Sequence, residues 1–335
     1  MSQSSYFLAL VFLGAVGPSL AADPQFELLH LLGAKQGVTP PVRFSGAAGK
    51  LVFGKPDPPL QYPSAVTADP QGRVWIADTG NRAVHMYDVA RRKFNVLTGG
   101  GAVEFRCPAG IDSDSIGQIY VADACLARVF IFDSKGRFLR FLAGESAALL
   151  LGRPSALAVS RDRKTIYISD QARSKVVALN QEGERVGEWD SGLSADSSAA
   201  LAVTPGRVFV LDSAQGLVRL FNSGGAPLGV LKWSQAKHIT AFAYDPVRQL
   251  YFVGDGLHQT ILIFDESGTH LGAFSQGGLS PTEMHAPSYL YADARGLVYA
   301  IDQLAAKVLV FREVNPPPRP SDPSASPPTF KRRNR

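Results

Sequence analysis

At 335 residues the chain could hold two domains, and its formal net charge of +5 invites a nucleic-acid reading. Arg319, Lys331, Arg332, Arg333 and Arg335 against Asp322 put four of those five charges in the segment 315–335. The rest is too balanced for a general phosphate-binding field, which excludes nucleic acid as a partner on electrostatic grounds.

The first 21 residues contain no Asp, Glu, Lys, Arg or His. Tyr6 to Val16, YFLALVFLGAV, form an apolar run followed by Gly17, Pro18 and the small-x-small pattern Ser19-Leu20-Ala21. A permanent membrane helix needs about 20 apolar residues, so this run reads as a secretory signal over 1–21, although MSQSS supplies no basic side chain. No cysteine follows at a lipoprotein position. The expectation is an exported protein, periplasmic or extracellular, with no stable transmembrane helix after cleavage.

From there one pattern repeats six times: an apolar strand ending in Asp, a polar break, a second apolar strand, then a turn. The copies are VWIADTGNRAVHMYD from Val74, IYVADACLARVFIFD from Ile119, IYISDQARSKVVALN from Ile166, VFVLDSAQGLVRLFN from Val208, LYFVGDGLHQTILIFD from Leu250 and VYAIDQLAAKVLVF from Val298. Their aspartates are Asp78, Asp123, Asp170, Asp212, Asp255 and Asp302, so the period is 45, 47, 42, 43 and 47 residues. A period of this size, spanning nearly the whole chain, argues for one closed repeat assembly over residues 22–314.

Each copy reads as four short antiparallel strands. In the second they fall near Ala109 to Asp112, Ile119 to Ala122, Val129 to Phe132 and Phe138 to Leu142, with Gly and Asx residues at the turns. Val74-Trp75-Ile76-Ala77 and Val308-Leu309-Val310-Phe311 are apolar throughout, which suits sheets covered on both faces. Radial packing around an axis provides that cover. The predicted fold is therefore an all-β, six-bladed β-propeller of four-stranded antiparallel blades. No fourth strand follows Phe311, whereas Gln25 to Gly33, QFELLHLLG, resembles the fourth-strand segment RFLRFLAG of copy two. The N-terminal segment is expected to complete the last blade and cover its edge. The final stretch 315–335, with seven prolines, is expected to be a disordered, basic tail.

The order Pro, apolar strand, Asp, Gly, strand, Asp-x-x-Asn-x-x-Val, strand, Asp, Gly resembles the NHL-repeat propellers. The copy YPSAVTADPQGRVWIADTGNRAVHMYD from Tyr62 carries it almost throughout, and the resemblance spans Tyr62 to Phe311. Copies four and five depart, with Ser197-Ser198-Ala199 and Ile239-Thr240-Ala241 in place of the leading Pro. The resemblance implies the propeller; for function it implies little, since members include lyase domains, RNA-binding modules and exported proteins. In the amidating lyases zinc histidines commonly follow the leading Pro, and the residues there in this chain are Ser64, Ala109, Ser155 and Ser288, none able to replace them.

Several residues are candidates for a site on the face where blades connect and second strands meet third strands. His238, His258 and His285 fall there on two adjacent blades and could bind zinc with an open position. Arg82, Arg128, Arg173, Lys175 and Lys307 lie in the breaks and could meet an acidic protein, an anionic glycan or another cell-envelope component. Cys107 and Cys125 lie at the same end of one blade, and an oxidising compartment favours a disulfide between them. The six repeated aspartates are expected to cap the breaks as Asx turns do, and Asp69, Asp112, Asp245 and Asp293 to initiate turns rather than ligate calcium. The sequence thus favours a monomeric, non-catalytic binding or scaffold propeller needing no cofactor. A zinc- or calcium-dependent enzyme of lyase or lactonase type is the alternative.

Overall fold

The structure, a computed structural model, describes residues 25–33, 59–91, 93–142, 151–193, 200–275, 277 and 283–314. The expected signal segment 1–21 and tail 315–335 lie outside them.

Six four-stranded antiparallel sheets are arranged as blades. Blade one is β2(Pro63–Ala68), β3(Val74–Asp78), β4(Ala83–Asp88) and β5(Lys93–Leu97). A small hairpin, β6(Gly99–Gly100) and β7(Val103–Glu104), leads into blade two, β8(Pro108–Ser113), β9(Ile119–Asp123), β10(Arg128–Phe132) and β11(Phe138–Phe141). Blade three is β12(Pro154–Val159), β13(Ile166–Asp170), β14(Lys175–Leu179) and β15(Arg185–Asp190). Blade four is β16(Leu201–Thr204), β17(Arg207–Asp212), β18(Leu217–Asn222) and β19(Pro227–Leu231). Blade five is β20(Ile239–Asp245), β21(Leu250–Asp255), β22(Thr260–Asp265) and β23(His270–Phe274). Blade six takes β24(Pro287–Ala292), β25(Leu297–Asp302) and β26(Lys307–Val314), and its outermost strand is β1(Gln25–Leu32).

Burial follows position in the blade. The second strands β3, β9 and β13 are buried at every residue, because neighbouring sheets cover both faces. The outer strands β15 and β19 are largely exposed, as the rim of a ring must be. Apolar side chains fill the spaces between blades: Trp75, Tyr87, Phe130, Phe209, Phe264 and Tyr299 are almost wholly buried. Blades also meet backbone to backbone. A Cβ at Gly110 would stand 3.0 Å from the Ala156 Cα, so a larger residue there would push blades two and three apart.

Ring closure is built from both ends of the chain. β1 runs antiparallel to β26 from Gln25 opposite Val314 to Leu32 opposite Val308, with an irregularity between Leu28 and His30. Across the junction of blades six and one, Gln303 Nε2 donates to the Pro63 carbonyl at 3.2 Å.

Each first strand begins beside the end of the second, as Pro63 opposite Asp78 and Pro287 opposite Asp302 show. The blade connections and the second-to-third-strand breaks therefore share one face, called here the loop face. The turns between first and second strands emerge on the opposite, turn face.

Candidate functional site

On the loop face the six repeated aspartates are fully buried. Asp78 accepts the N–H groups of Gln61 (3.0 Å), Tyr62 (2.9 Å) and Asn81 (3.3 Å) and the Asn81 side-chain amide (2.8 Å). Asp123 accepts those of Arg106, Cys107, Cys125 and Leu126; Asp255 those of Lys237, His238, Leu257 and His258. One carboxylate thus ties the entry of its blade to the break of the same blade, satisfying N–H groups that would otherwise be buried without partners. Four residues after each aspartate stands a left-handed residue, Arg82, Ala127, Ser174, Gly216, Gln259 or Ala306, where the break turns into the third strand. Burial acts to raise the Asp78 carboxyl, but the His85 imidazole and the N–H groups of Tyr62, Gln61 and Asn81 outweigh it and bring it down to about 2. The aspartates are structural acceptors.

The turn face differs. A cavity of about 590 Å³ opens there around the axis, lined by the ends of all six first strands. Opposite the second-strand residue three before each repeated aspartate, the first strands place Thr67, Asp112, Ala158, Ala202, Ala243 and Tyr291. The three alanines line this cavity together with Tyr289 and Tyr291 of blade six. Asp112 is half-buried against this space. Its carboxylate accepts the Val159 N–H from blade three (2.8 Å), its neighbour Ser113 N–H (2.8 Å) and the Thr67 hydroxyl from blade one (3.1 Å). Burial pushes it up to about 6 against the pull of these bonds, and the nearby Asp114 charge adds to the upward push. Burial and the Asp112 charge push the hydroxyls of Tyr289 and Tyr291 upward as well.

The other carboxylates lining the cavity are committed to arginines: Asp69 to Arg73 at 2.6 Å, Asp114 to Arg163 at 2.8 Å and Asp293 to Arg295. Asp69, Asp245 and Asp293 accept the N–H groups of their turns, as expected of turn initiators. Asp112 does not, which corrects the turn-initiating role expected for it. In blade two that role falls to Asp114, which accepts the N–H groups of Ile116 and Gln118.

The NHL repeat profile matches residues 60–86, which cover the entry, first three strands and break of blade one. With that match the six blades and their repeated breaks decide the family. The chain is an NHL-repeat propeller. No curated protein matches it in sequence. Among solved structures it is similar to selenomethionine-substituted virginiamycin B lyase from Staphylococcus aureus, with 11% identity over 75% of this chain and 80% of that one at a TM-score of 0.54. It is also similar to a streptogramin B lyase, with 12% identity over 76% of this chain and 95% of that one at a TM-score of 0.53. At such identities the likeness is one of fold.

In this NHL propeller the expected loop-face residues are placed as follows. Cys107 and Cys125 form a disulfide, with Cα atoms 5.3 Å apart. The histidines do not converge. His258 Nδ1 lies 2.7 Å from Asp255, filling the place Asn81 takes in blade one, and His285 Nδ1 lies 3.0 Å from Asp302. His238 is exposed and contributes its backbone N–H to Asp255. Among the described residues no three His, Cys, Asp or Glu side chains are placed to hold a metal ion. Ser64, Ser155 and Ser288 donate to the carbonyls of Ala77, Ser169 and Ile301, and Ser64 also reaches Pro108 of the next blade.

The basic residues do not form one surface. Arg173 pairs with Asp170 at 2.7 Å, and Lys175 with Asp190 at 3.4 Å. Lys307, expected as a surface contact, is buried: it lies 3.6 Å from Asp302 and donates to the Glu283 carbonyl. Burial holds its ammonium below the usual lysine range despite Asp302. Arg128 lies 5.0 Å over the Phe141 ring, and Arg82 is exposed. What the sequence reading passed over is an apolar feature. Two residues beyond the buried aspartate stand Gly80, Cys125, Ala172 and Ala214 in blades one to four, but Leu257 and Leu304 in blades five and six.

Proposed function

We propose that the protein is an exported binding propeller that works without catalysis and presents the loop face of blades five, six and one to a protein of the cell envelope. The observation that carries this reading is the exposure of Leu304 (80%), Leu257 (66%) and Tyr62 (53%) on adjoining blades of that face. Such side chains gain from being covered, and an apolar centre with an arginine nearby, here Arg82, has the composition of a protein interface. Rigid blades beneath them favour recognition by a preformed surface. Export is supported by the Cys107–Cys125 disulfide, and none of the described helices is long and apolar enough to cross a membrane. A monomer suits a ring closed within one chain, and an anionic glycan is the other partner that Arg82 would suit.

The alternative, a metal-dependent enzyme of the loop face, has in its favour the fold it shares with the two lyases. Metal analysis of the purified protein, with His238, His258 and His285 replaced by Ala, tests it: a stoichiometric metal lost on replacement would favour the enzyme. For the binding reading, Leu257→Asp with Leu304→Asp should abolish cross-linking to the partner recovered with the unaltered protein from the exported fraction, while melting stays unchanged. Undiminished cross-linking by the double variant would overturn it.

A further inference from the structure

The axial cavity lies on the face opposite the exposed leucines, and its chemistry is independent of theirs. Its volume of about 590 Å³ falls within the range of small-molecule sites. The walls are mainly apolar, with Leu201, Phe242 and Leu290 beside the alanines. Beside this apolar lining stand Tyr289, Tyr291 and one carboxylate not committed to an arginine, Asp112. We propose that the axial cavity is a binding site for a small organic cation, an ammonium group on an apolar or aromatic body, with Asp112 as its counter-ion.

Three observations converge on that class. Asp112 is, among the described residues lining the cavity, the carboxylate without an arginine or lysine partner, whereas Asp69, Asp114 and Asp293 each have one. Its three hydrogen bonds come from three blades and hold the carboxylate in place. Such anchoring favours a directed contact over a mobile surface charge. Tyr289 and Tyr291 supply aromatic faces that attract a cation and cover its apolar body. An anionic ligand would instead meet uncompensated negative charge, and a purely apolar one would leave Asp112 desolvated without gain.

The groups facing Asp112 are Asp114 in the turn after its strand, already paired with Arg163, Tyr289 and Tyr291 on β24, Thr67 on β2, and Arg161 at the rim beyond β12. With Asp112 titrating near 6, the carboxylate is ionised in neutral solution and protonated in moderately acidic solution. An ammonium ligand should therefore bind about tenfold more weakly at about pH 5 than at about pH 7.5.

The test uses the full chain with phenethylamine and its neutral counterpart 2-phenylethanol as probes, followed by calorimetry and ligand-observed NMR. The unaltered protein should bind the amine at least about tenfold tighter than the alcohol, and Asp112→Asn should remove that preference. Ala202→Phe, which fills the cavity, should abolish binding of both. The pH profile on the unaltered protein decides the matter even if a variant fails to fold. Equal affinity for the two probes, a preference that survives Asp112→Asn, a flat pH profile, or no amine binding up to about 10 mM would each overturn the proposal. Leu257→Asp with Leu304→Asp should leave amine binding unchanged, so the outcomes at the two faces are separable.

Discussion

Aspartate plays opposite parts on the two faces of the ring. On the loop face six of them are buried, and Asp78, with its four bonds from backbone and Asn81, is held far below the ordinary carboxylate range. On the turn face Asp112 is supported by three bonds and lifted to about 6, facing a cavity. The first kind has its charge consumed by the fold; the second keeps capacity for an outside partner. The two kinds differ in repetition as well: the loop-face aspartate recurs in every blade and holds the chain, whereas an acid at the Asp112 position occurs in one blade.

Removing a carboxylate from each face tests the contrast most strongly. Asp78→Ala should cost about 4 kcal/mol, since several buried N–H groups lose a charged acceptor at once, whereas Asp112→Asn should change stability by less than about 1 kcal/mol. Urea denaturation of the two variants measures both, and equal losses would erase the distinction. Acid sharpens it further. The folded-state pKa of Asp78 lies below its unfolded value, so its contribution is present above that unfolded value and is lost as pH falls from about 4 towards about 2. Asp112 has the opposite sign: its folded value is raised, so its protonated form favours the fold and stability declines as pH rises from about 4 through about 6.

The disulfide is the loop face's one covalent departure from the repeat. It spans 18 residues, so replacing Cys107 and Cys125 by Ser should cost about 3 kcal/mol, read as a lower thermal midpoint. A loss under about 1 kcal/mol would mean that the Asp123 bonds alone fix that blade's entry. The smallest effect concerns the left-handed position. Ala127→Gly should raise stability by about 0.5 kcal/mol, because Gly216 already holds the equivalent place in blade four without a Cβ in that conformation. A decrease would show that the unfolded chain's added freedom outweighs the relieved strain.

The architecture was legible because the 42- to 47-residue spacing of aspartates repeats through the chain, and because strands apolar at every position require cover on both faces. Asp112 was not, for a local reason. The run Ile111-Asp112-Ser113-Asp114 offers two acids near one turn, and only the pairing register that sets Asp112 level with Thr67, Ala158, Ala202, Ala243 and Tyr291 separates the axial acid from the turn former. His258 was misleading because a histidine can fill a place that Asn81 fills elsewhere, which only the contact with Asp255 reveals. Lys307 looked like a surface cation because its burial depends on Glu283, reached across 24 residues of sequence. Leu257 and Leu304 carry a sequence signal, two leucines where other copies place small residues or a cysteine, but their exposure depends on the breaks projecting outward.

The seam between β1 and β26 sets the order of assembly. Its side chains meet across 285 positions of sequence, as Arg312 and Glu27 do. Such a contact must await the last blade and carries the loop-closure entropy of the whole ring, so a nascent chain can build blades one to five while its first strand is still without a partner. Until the final strands arrive, β1 and the open edge of blade six are two matching adhesive surfaces. In a growing chain that delay keeps the ring open until both ends of the propeller are free to meet.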